Sequence, residues 1–213
     1  PNWWHDLSRA TSLGILTLET ESLRTHLAVT MYRTAESIYH LFNRGNNSQN
    51  IFFCDEHYEF FLDKAKTALL PQCHVLAYCL MPNHFHFLLL TKPSFQPIVF
   101  SAGIRIWLSS YSRAMQKQRG TTGSLFQQNT KTRHVDTRDY ATTCFHYIHQ
   151  NPVKAGIRKR IENWPYSSFP EYWWDDPGIC NKEAARSILD LPANPAEFYT
   201  DSSEVDHSLT ELQ

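Results

Sequence analysis

The stretch MPNHFHFLLL, residues 81–90, carries two histidines, His84 and His86, inside a run that is otherwise typical of a buried strand. Because strand side chains alternate between the two faces of a sheet, both imidazoles point to one side and Phe85 points to the other. Two imidazoles on one face can bind a metal ion if a third protein ligand and an open position are present. The alternative is a pair of core histidines that hydrogen-bond to their neighbours.

The segment FHYIHQNPVKAG, residues 145–156, offers a third ligand and a nucleophile. Tyr147 and Asn151 are four residues apart, so they share one face of a helix that reaches Asn151 before Pro152. Gln150, three residues after Tyr147, is the rival ligand. A tyrosine beside a metal-polarised phosphate can act as a covalent nucleophile, despite an ordinary pKa of about 10. The alternative is an aromatic side chain that packs on the sheet.

Hydrophobic periodicity and turn residues predict the elements that position these side chains. Strands are expected at 37–47, 73–80, 84–91 and 131–136, and helices at 55–70, 96–120 and 137–150. Asp55 and Thr137 are the expected N-caps, Gly120 ends the second helix, and Pro152 halts the third. The order predicts an α+β, ferredoxin-like (split βαβ) antiparallel sheet with helices on one face, plus an additional C-terminal helix. His146 and His149, on other faces of that helix, are expected to be surface or DNA-facing residues rather than ligands.

Three segments are expected along the chain. Residues 1–36 show no clear period and are interpreted as an N-terminal extension of unknown role, residues 37–172 as the main domain, and residues 173–213 as an acidic tail with short elements. No apolar run approaches the roughly 20 residues that a membrane span needs, so no membrane association is expected. Five cysteines without a CxxC pair favour a reducing, cytoplasmic location.

Charge is strongly segregated, although the formal net charge is only −1. Residues 101–160 contain eleven Lys or Arg against two acids, whereas residues 161–213 contain eleven acids against two bases. A basic segment beside the histidine strand suits a partner with a phosphate backbone. The alternative is a solvated helical face. The sequence has no GxxxxGK[ST] loop, so no nucleotide cofactor is expected.

Five stretches, YHLFNRGNN, MPNHFHFLL, GSLFQQNTK, YIHQNPVKAG and WPYSSF, occur in this order over about residues 37–172. Together they resemble the REP-associated tyrosine transposases, relatives of the single-tyrosine HUH transposases of bacterial insertion sequences. The resemblance implies a catalytic domain for DNA transposition that cleaves and rejoins single-stranded hairpin DNA of repetitive extragenic palindromes, as a monomer or a homodimer. It also implies a role for four residues: His84 and His86 as metal ligands, Tyr147 as the nucleophile, and Asn151 as the polar ligand one turn later.

The implied chemistry is coherent. A divalent ion, Mg²⁺ or Mn²⁺, held by His84, His86 and Asn151 would stabilise the scissile phosphate while the tyrosine attacks it and forms a 5′-phosphotyrosine bond. Mixed nitrogen and oxygen ligands suit manganese at least as well as magnesium. Two rival functions remain: a hairpin-binding regulator without catalysis, and a hydrolase of small phosphoesters, against which the basic segment argues.

Several residues are candidates for DNA contacts. Asn43 and Arg44, in the first turn, are expected near the unpaired flank of the hairpin. Basic side chains are expected on the DNA backbone: Arg113, Lys117, Arg119, Lys131, Arg133 and Lys154. Three aromatic residues are candidates for base stacking, with burial in the core as the alternative: Trp107, Phe126 and Trp164.

Overall fold

A computed structural model of the protein describes residues 34–192, 194 and 197–200. The predicted N-terminal extension, residues 1–36, lies outside this part except for its last three residues. The end of the predicted acidic tail, residues 201–213, also lies outside it. From Ala35 onward the described residues belong to one compact unit.

Four antiparallel strands form one sheet: β1 (Ile38–Arg44), β2 (Cys73–Met81), β3 (His84–Thr91) and β4 (Lys131–Val135). Their order across the sheet is β2-β3-β1-β4, so β1 and β3 occupy its centre. A two-residue turn joins β2 to β3, whereas a helix follows β1 and another follows β3. This is the predicted ferredoxin-like arrangement.

Two helices, α1 (Asp55–Leu69) and α2 (Pro97–Arg119), cover one face of the sheet. Phe85 on β3 lies between them, with ring-centroid distances of 5.1 Å to Phe61 of α1 and 5.4 Å to Trp107 of α2. The alternation predicted for β3 is confirmed, because the two histidines face the other side. The aromatic residues for which the sequence left base stacking open are buried in the core: Trp107, Phe126 and Trp164.

Two of the four helix ends that local signals predicted, those at Thr137 and Gly120, are correct. Thr137 caps the next helix by accepting a hydrogen bond from the Tyr140 backbone N–H at 3.2 Å. Gly120 ends α2 in the left-handed conformation, with φ of 62°, which glycine adopts without steric cost. The prediction for Asp55 was wrong: Cys54 is the N-cap of α1, without a side-chain cap bond, and Asp55 lies in the first turn.

The third long helix, α3 (Arg138–Lys154), lies on the opposite face of the sheet, over the histidines. The WPYSSF stretch follows it and pairs with the outer edge of β2: the Leu80 N–H donates to the Tyr166 carbonyl at 2.8 Å, and the Ser168 N–H to the Tyr78 carbonyl at 2.9 Å. Trp164 also donates its indole N–H to the Leu80 carbonyl. This stretch therefore fastens the C-terminal segment to the sheet.

The described residues after 160, where acidic residues outnumber basic ones, contain two short helices, α4 (Phe169–Trp173) and α5 (Lys182–Leu189). Leu191 and Phe198 are buried with Leu189 in the same core as the sheet. The last residues of the described chain therefore add hydrophobic contacts on the α3 side of the sheet. Within the described residues, none of the helices is both long and apolar enough to cross a membrane.

The surface location predicted for His146 and His149 was wrong, because both are buried. The ring centroid of His149 lies 5.7 Å from that of Phe169, and the ring centroid of His146 lies 6.3 Å from that of Phe198. Phe169 and Phe198 both lie in the part of the chain that follows α3. Helical periodicity alone cannot reveal a face that a later segment of the chain covers.

Burial lowers the pKa of His149 to about 3, and its Nε2 lies 2.7 Å from the Ser168 hydroxyl. In the unfolded chain this histidine takes up a proton as the pH falls below 6.5, whereas in the folded protein it stays neutral. Its contribution to stability is therefore full above pH 6.5 and is lost as the pH falls toward 3. The wild type should lose unfolding free energy when the pH is lowered from 7.5 to 5.5. We expect this loss to be about 1 kcal/mol smaller in His149→Asn, as measured by urea denaturation at both pH values.

The control is His134→Asn, at an exposed histidine of β4, which should show the pH dependence of the wild type. An equal pH dependence in His149→Asn and the wild type would contradict the assignment.

Candidate active site

The two histidines of β3 lie side by side on the face that α3 covers. Their ring centroids are 5.0 Å apart and the rings are nearly perpendicular. Register with β1 places His84 opposite Arg44 and His86 opposite Phe42. His86 is buried, with 2% of its surface exposed, and His84 is half-buried. The shared face predicted from the spacing of two is confirmed.

Both imidazoles are neutral near pH 7. Burial lowers the pKa of His84 to about 4, with a further contribution from the Arg44 guanidinium, and burial also holds the pKa of His86 well below its ordinary value of 6.5. The Nδ1 of His84 lies 2.6 Å from Oδ1 of Asn83, whose amide nitrogen donates to a backbone carbonyl. Since that oxygen can only accept, His84 Nδ1 carries the proton, and Nε2 keeps its lone pair.

A third histidine, His40 on β1, supports His86 and was missed from the sequence. Its Nε2 lies 2.9 Å from Nδ1 of His86, and its side chain is 1% exposed. The Nε2 of His86 is buried without a hydrogen-bond partner. A tautomer in which His86 Nδ1 donates to His40 leaves that Nε2 as a free electron-pair donor. The available signal was a histidine in an otherwise apolar strand, but its partner is evident only from the β1–β3 register.

The prediction that Pro152 halts α3 was wrong, because the helix continues to Lys154. Proline lacks an N–H, so the carbonyl of Ile148, four residues earlier, loses its usual backbone donor. The amide nitrogen of Asn151 replaces that donor at 3.3 Å, and it also donates to the Tyr147 carbonyl at 2.9 Å. One side chain thus compensates for the proline within the helix.

These two hydrogen bonds also orient Asn151. Because the amide nitrogen is held by helix carbonyls, the amide oxygen is left to face the sheet. The side chain of Asn151 lies against His84 and favours its protonated form, which opposes the effect of burial on the pKa of that histidine. With Nδ1 of His84 occupied by Asn83, two electron-pair donors, His84 Nε2 and Asn151 Oδ1, lie next to each other. Gln150, the rival ligand, is buried and does not line the cleft described below.

Tyr147, one turn before Asn151, faces the same site. Its ring centroid lies 5.9 Å from that of His86, at a steep angle, and 5% of its surface is exposed. The ammonium group of Lys154 lies 5.1 Å from the centre of the tyrosine ring. This contact sets the ammonium group at the edge of the site, where burial lowers the pKa of Lys154.

A cleft of about 340 Å³ is lined by His84, Tyr147 and Asn151, whereas His86 is buried and does not line it. Among the described residues that line it there is no carboxylate, and two cations, Arg44 and Lys154, flank it. Nε of Arg44 is buried without a hydrogen-bond partner. The cleft is therefore suited to a phosphodiester. The described residues that line it are Arg44, Asn50, Met81, Pro82, Asn83, His84, Tyr147, Asn151, Lys154, Ala155 and Ile157.

The other basic residues predicted to contact DNA lie outside this cleft. Lys131 and Arg133 are exposed on β4, and Arg133 pairs with His40 in the register of β1. The guanidinium of Arg119, at the end of α2, lies 3.5 Å from the centre of the Phe53 ring. Five of the predicted contacts are exposed outside the cleft: Arg113, Lys117, Arg119, Lys131 and Arg133.

Asn43 is not brought to the cleft. It is 6% exposed, and its amide nitrogen donates to the Thr130 hydroxyl at 2.9 Å and to the Gln127 carbonyl at 3.3 Å. Its oxygen accepts from the Arg44 N–H. The side chain therefore holds the 127–130 loop against β1, a structural position that does not favour the predicted DNA contact.

Comparisons with known proteins bear on the fold and the family of this chain. A solved structure described as a REP-associated tyrosine transposase bound to a REP hairpin matches with a TM-score of 0.53 and 18% identity, over 77% of this chain and 90% of that chain. A bacterial tRNA(His) guanylyltransferase-like protein in complex with GTP matches with a TM-score of 0.44 and 11% identity, over 66% of this chain and 74% of that chain. Comparison with curated proteins gave no match. The family model described as "Transposase IS200 like" matches residues 33–151, more than half of the chain and all four candidate site residues. The chain therefore belongs to the family of IS200-like transposases.

Proposed function

We propose that this protein is a metal-dependent endonuclease and strand transferase that cuts single-stranded hairpin DNA through a 5′-phosphotyrosine intermediate. The observation that carries the proposal is the meeting of α3 with β3: the Tyr147 ring contacts that of His86, and Tyr147, Asn151 and His84 line a cationic cleft. Family membership supports DNA transposition as the process. The REP hairpin named for the structural neighbour supports a folded single strand as the substrate class.

The donor set fits a divalent metal ion. His84 Nε2, His86 Nε2 and Asn151 Oδ1 are the three electron-pair donors, and the buried Nε2 of His86 has no hydrogen-bond partner that would compete. Within the described residues, no cluster of three or more His, Cys, Asp or Glu is placed to hold a metal, so an amide must complete the set. When bound, Mn²⁺ or Mg²⁺ would supply Lewis-acid stabilisation of the phosphate.

The chain's own residues perform the rest of the reaction. Arg44 and Lys154, which both line the cleft, attract and orient the phosphate. The hydroxyl oxygen of Tyr147 attacks phosphorus, so that a tyrosine O–P bond forms while the bond from phosphorus to the 3′-oxygen breaks. The phenolic proton leaves to solvent and the departing oxygen takes up a proton to become a 3′-hydroxyl. The tyrosine–DNA phosphodiester replaces a DNA phosphodiester of similar free energy. A second 3′-hydroxyl can therefore attack it, release Tyr147 and rejoin the strand without ATP.

End-labelled DNA tests this proposal. The protein is incubated with MnCl₂ and a single-stranded REP-type hairpin that carries unpaired flanks, labelled at either its 5′ or its 3′ end, and the products are separated on a denaturing gel. The 3′ label should migrate with the protein, whereas the 5′ label should appear on a free fragment that a polymerase can extend. Cleavage with both labels free of protein would indicate hydrolysis and overturn the covalent mechanism. Hairpin binding without cleavage would instead support a regulator.

Replacing His40 by leucine is expected to weaken Mn²⁺ binding about 10- to 100-fold. Leucine fills similar space but cannot accept the hydrogen bond from Nδ1 of His86, so the tautomer with its proton on Nε2 competes with metal binding. Isothermal titration of the protein with MnCl₂ measures this effect without any DNA.

His40→Gln is the matched variant, because its amide oxygen can accept the same hydrogen bond. Its affinity should lie closer to that of the wild type than the affinity of His40→Leu does. If His40→Leu keeps the far-ultraviolet spectrum and the metal affinity of the wild type, His40 has no part in the site.

A further inference from the structure

Asn83, in the turn between β2 and β3, connects His84 to the loop that follows β1. Its side-chain oxygen lies 2.6 Å from Nδ1 of His84, and its amide nitrogen donates to the Ser48 carbonyl at 3.2 Å. Since an amide accepts at its oxygen and donates at its nitrogen, Asn83 satisfies both partners in one orientation only. The Ser48 carbonyl therefore determines which atom of Asn83 faces His84.

The loop of residues 45–50, which contains Ser48, is attached to the same turn through its backbone. The Gly45 N–H donates to the Asn83 carbonyl at 2.7 Å. Arg44, just before the loop, and Asn50, its last residue, both line the catalytic cleft. The loop thus lies beside the cleft and contacts the residue that holds His84, so a change in the conformation of the loop reaches the proposed metal site through Asn83.

Two consecutive residues of this loop have an unfavourable backbone conformation. Asn47 and Ser48 have φ of 52° and 57°, in the left-handed region that residues with a Cβ adopt at a steric cost. Both residues are exposed, and the Ser48 N–H donates to the Gly45 carbonyl at 3.0 Å. Because the direction of the Ser48 carbonyl depends on this conformation, a residue that avoids the left-handed region at position 48 would turn that carbonyl away from Asn83.

We propose that Asn83 is a positioning residue that makes metal binding by His84 depend on the conformation of the 45–50 loop. This inference rests on the proposed function, which takes His84 as a metal ligand. The Ser48 carbonyl orients the amide, and the amide oxygen keeps the proton of the neutral imidazole on Nδ1, so that Nε2 is free to bind a metal ion. Without that oxygen, the tautomer with its proton on Nε2 becomes populated, and this tautomer cannot bind the ion through Nε2.

Variants of Asn83 test the positioning role. In metal-free protein at pH 7.5, the ¹⁵N chemical shifts of the His84 ring report which nitrogen carries the proton. Asn83→Leu should move His84 toward the tautomer protonated on Nε2 and weaken Mn²⁺ binding about 10- to 100-fold, as measured by isothermal titration. Asn83→Asp is the conservative variant, because its carboxylate accepts the same hydrogen bond. It should keep the wild-type tautomer and at least the wild-type affinity.

Variants of Ser48 test the dependence on the loop, since this residue does not line the cleft. Valine is β-branched and disfavours the left-handed region, whereas glycine adopts it without a steric penalty. Ser48→Val should move the His84 tautomer in the same direction as Asn83→Leu and weaken Mn²⁺ binding by about threefold or more. Ser48→Gly is the matched control and should keep the wild-type tautomer and affinity. Far-ultraviolet spectra establish that each variant is folded.

Three outcomes separate the parts of the proposal. A wild-type tautomer and a wild-type Mn²⁺ affinity in folded Asn83→Leu would overturn the positioning role. Equal values in Ser48→Val and Ser48→Gly would overturn the dependence on the loop. A tautomer that shifts in both Asn83→Leu and Ser48→Val, in a protein that binds no Mn²⁺, would leave the control of His84 by Asn83 standing and refute the metal-dependent mechanism alone.

Discussion

Phenylalanine in place of Tyr147 is expected to abolish the covalent protein–DNA product while hairpin binding persists. The substitution removes only the hydroxyl oxygen, and the ring keeps its packing against His86 and Lys154. Water can in principle attack the same phosphate, but loss of a nucleophile typically lowers the rate by roughly 10⁴-fold or more. A denaturing gel with 3′-labelled hairpin, read beside a native binding gel, separates loss of chemistry from loss of binding.

Tyr140→Phe is the control for this experiment. Tyr140 lies two turns earlier on α3 and does not line the cleft, so its variant should form the covalent product at the wild-type rate. A protein–DNA product that survives in Tyr147→Phe would mean that another side chain is the nucleophile.

His86→Leu is expected to remove the stabilisation that manganese gives to the folded protein. A ligand at one hundred times its dissociation constant stabilises the native state by about 2.7 kcal/mol, which for a chain of this size raises Tm by roughly 5–10 °C. Leucine cannot supply the electron pair of Nε2, so the remaining two donors should bind Mn²⁺ at least about 100-fold more weakly. Thermal unfolding with and without MnCl₂ measures the difference, independently of DNA cleavage.

His74→Leu serves as the comparison, because His74 lies on the edge strand β2 and interacts with Asn181 rather than with the cleft. It should keep the full rise in Tm. If His86→Leu also keeps it, the metal ion does not bind between β3 and α3.

Local periodicity predicted much of the site. A spacing of two in a strand and four in a helix placed His84 with His86 and Tyr147 with Asn151, because these repeats depend on backbone geometry alone. The same rule would have separated Asn43 from Arg44: they are neighbours in β1 and face opposite sides of the sheet, so only the arginine reaches the cleft.

Features that depend on distant segments were not predictable in this way. The contact of His40 with His86 requires the β1–β3 register, and the stacked pair of Phe53 and Arg119 joins segments that are 66 positions apart in sequence. The end of α3 was misplaced for another reason. The rule that proline ends a helix assumes that the freed carbonyl finds no other donor, and here an adjacent side chain provides one.

Pro152 has a further consequence for Asn151, the proposed ligand next to it. An asparagine amide is ambidentate: rotation by half a turn exchanges an oxygen, which binds metal ions, for an NH₂ group, which does not. In α3 that rotation would set the oxygen of Asn151 against the carbonyl oxygens of Tyr147 and Ile148, so only one orientation is stable. Alanine at position 152 would return a backbone donor to Ile148 and weaken this discrimination. Pro152 thus selects which atom of its neighbour faces the proposed metal site.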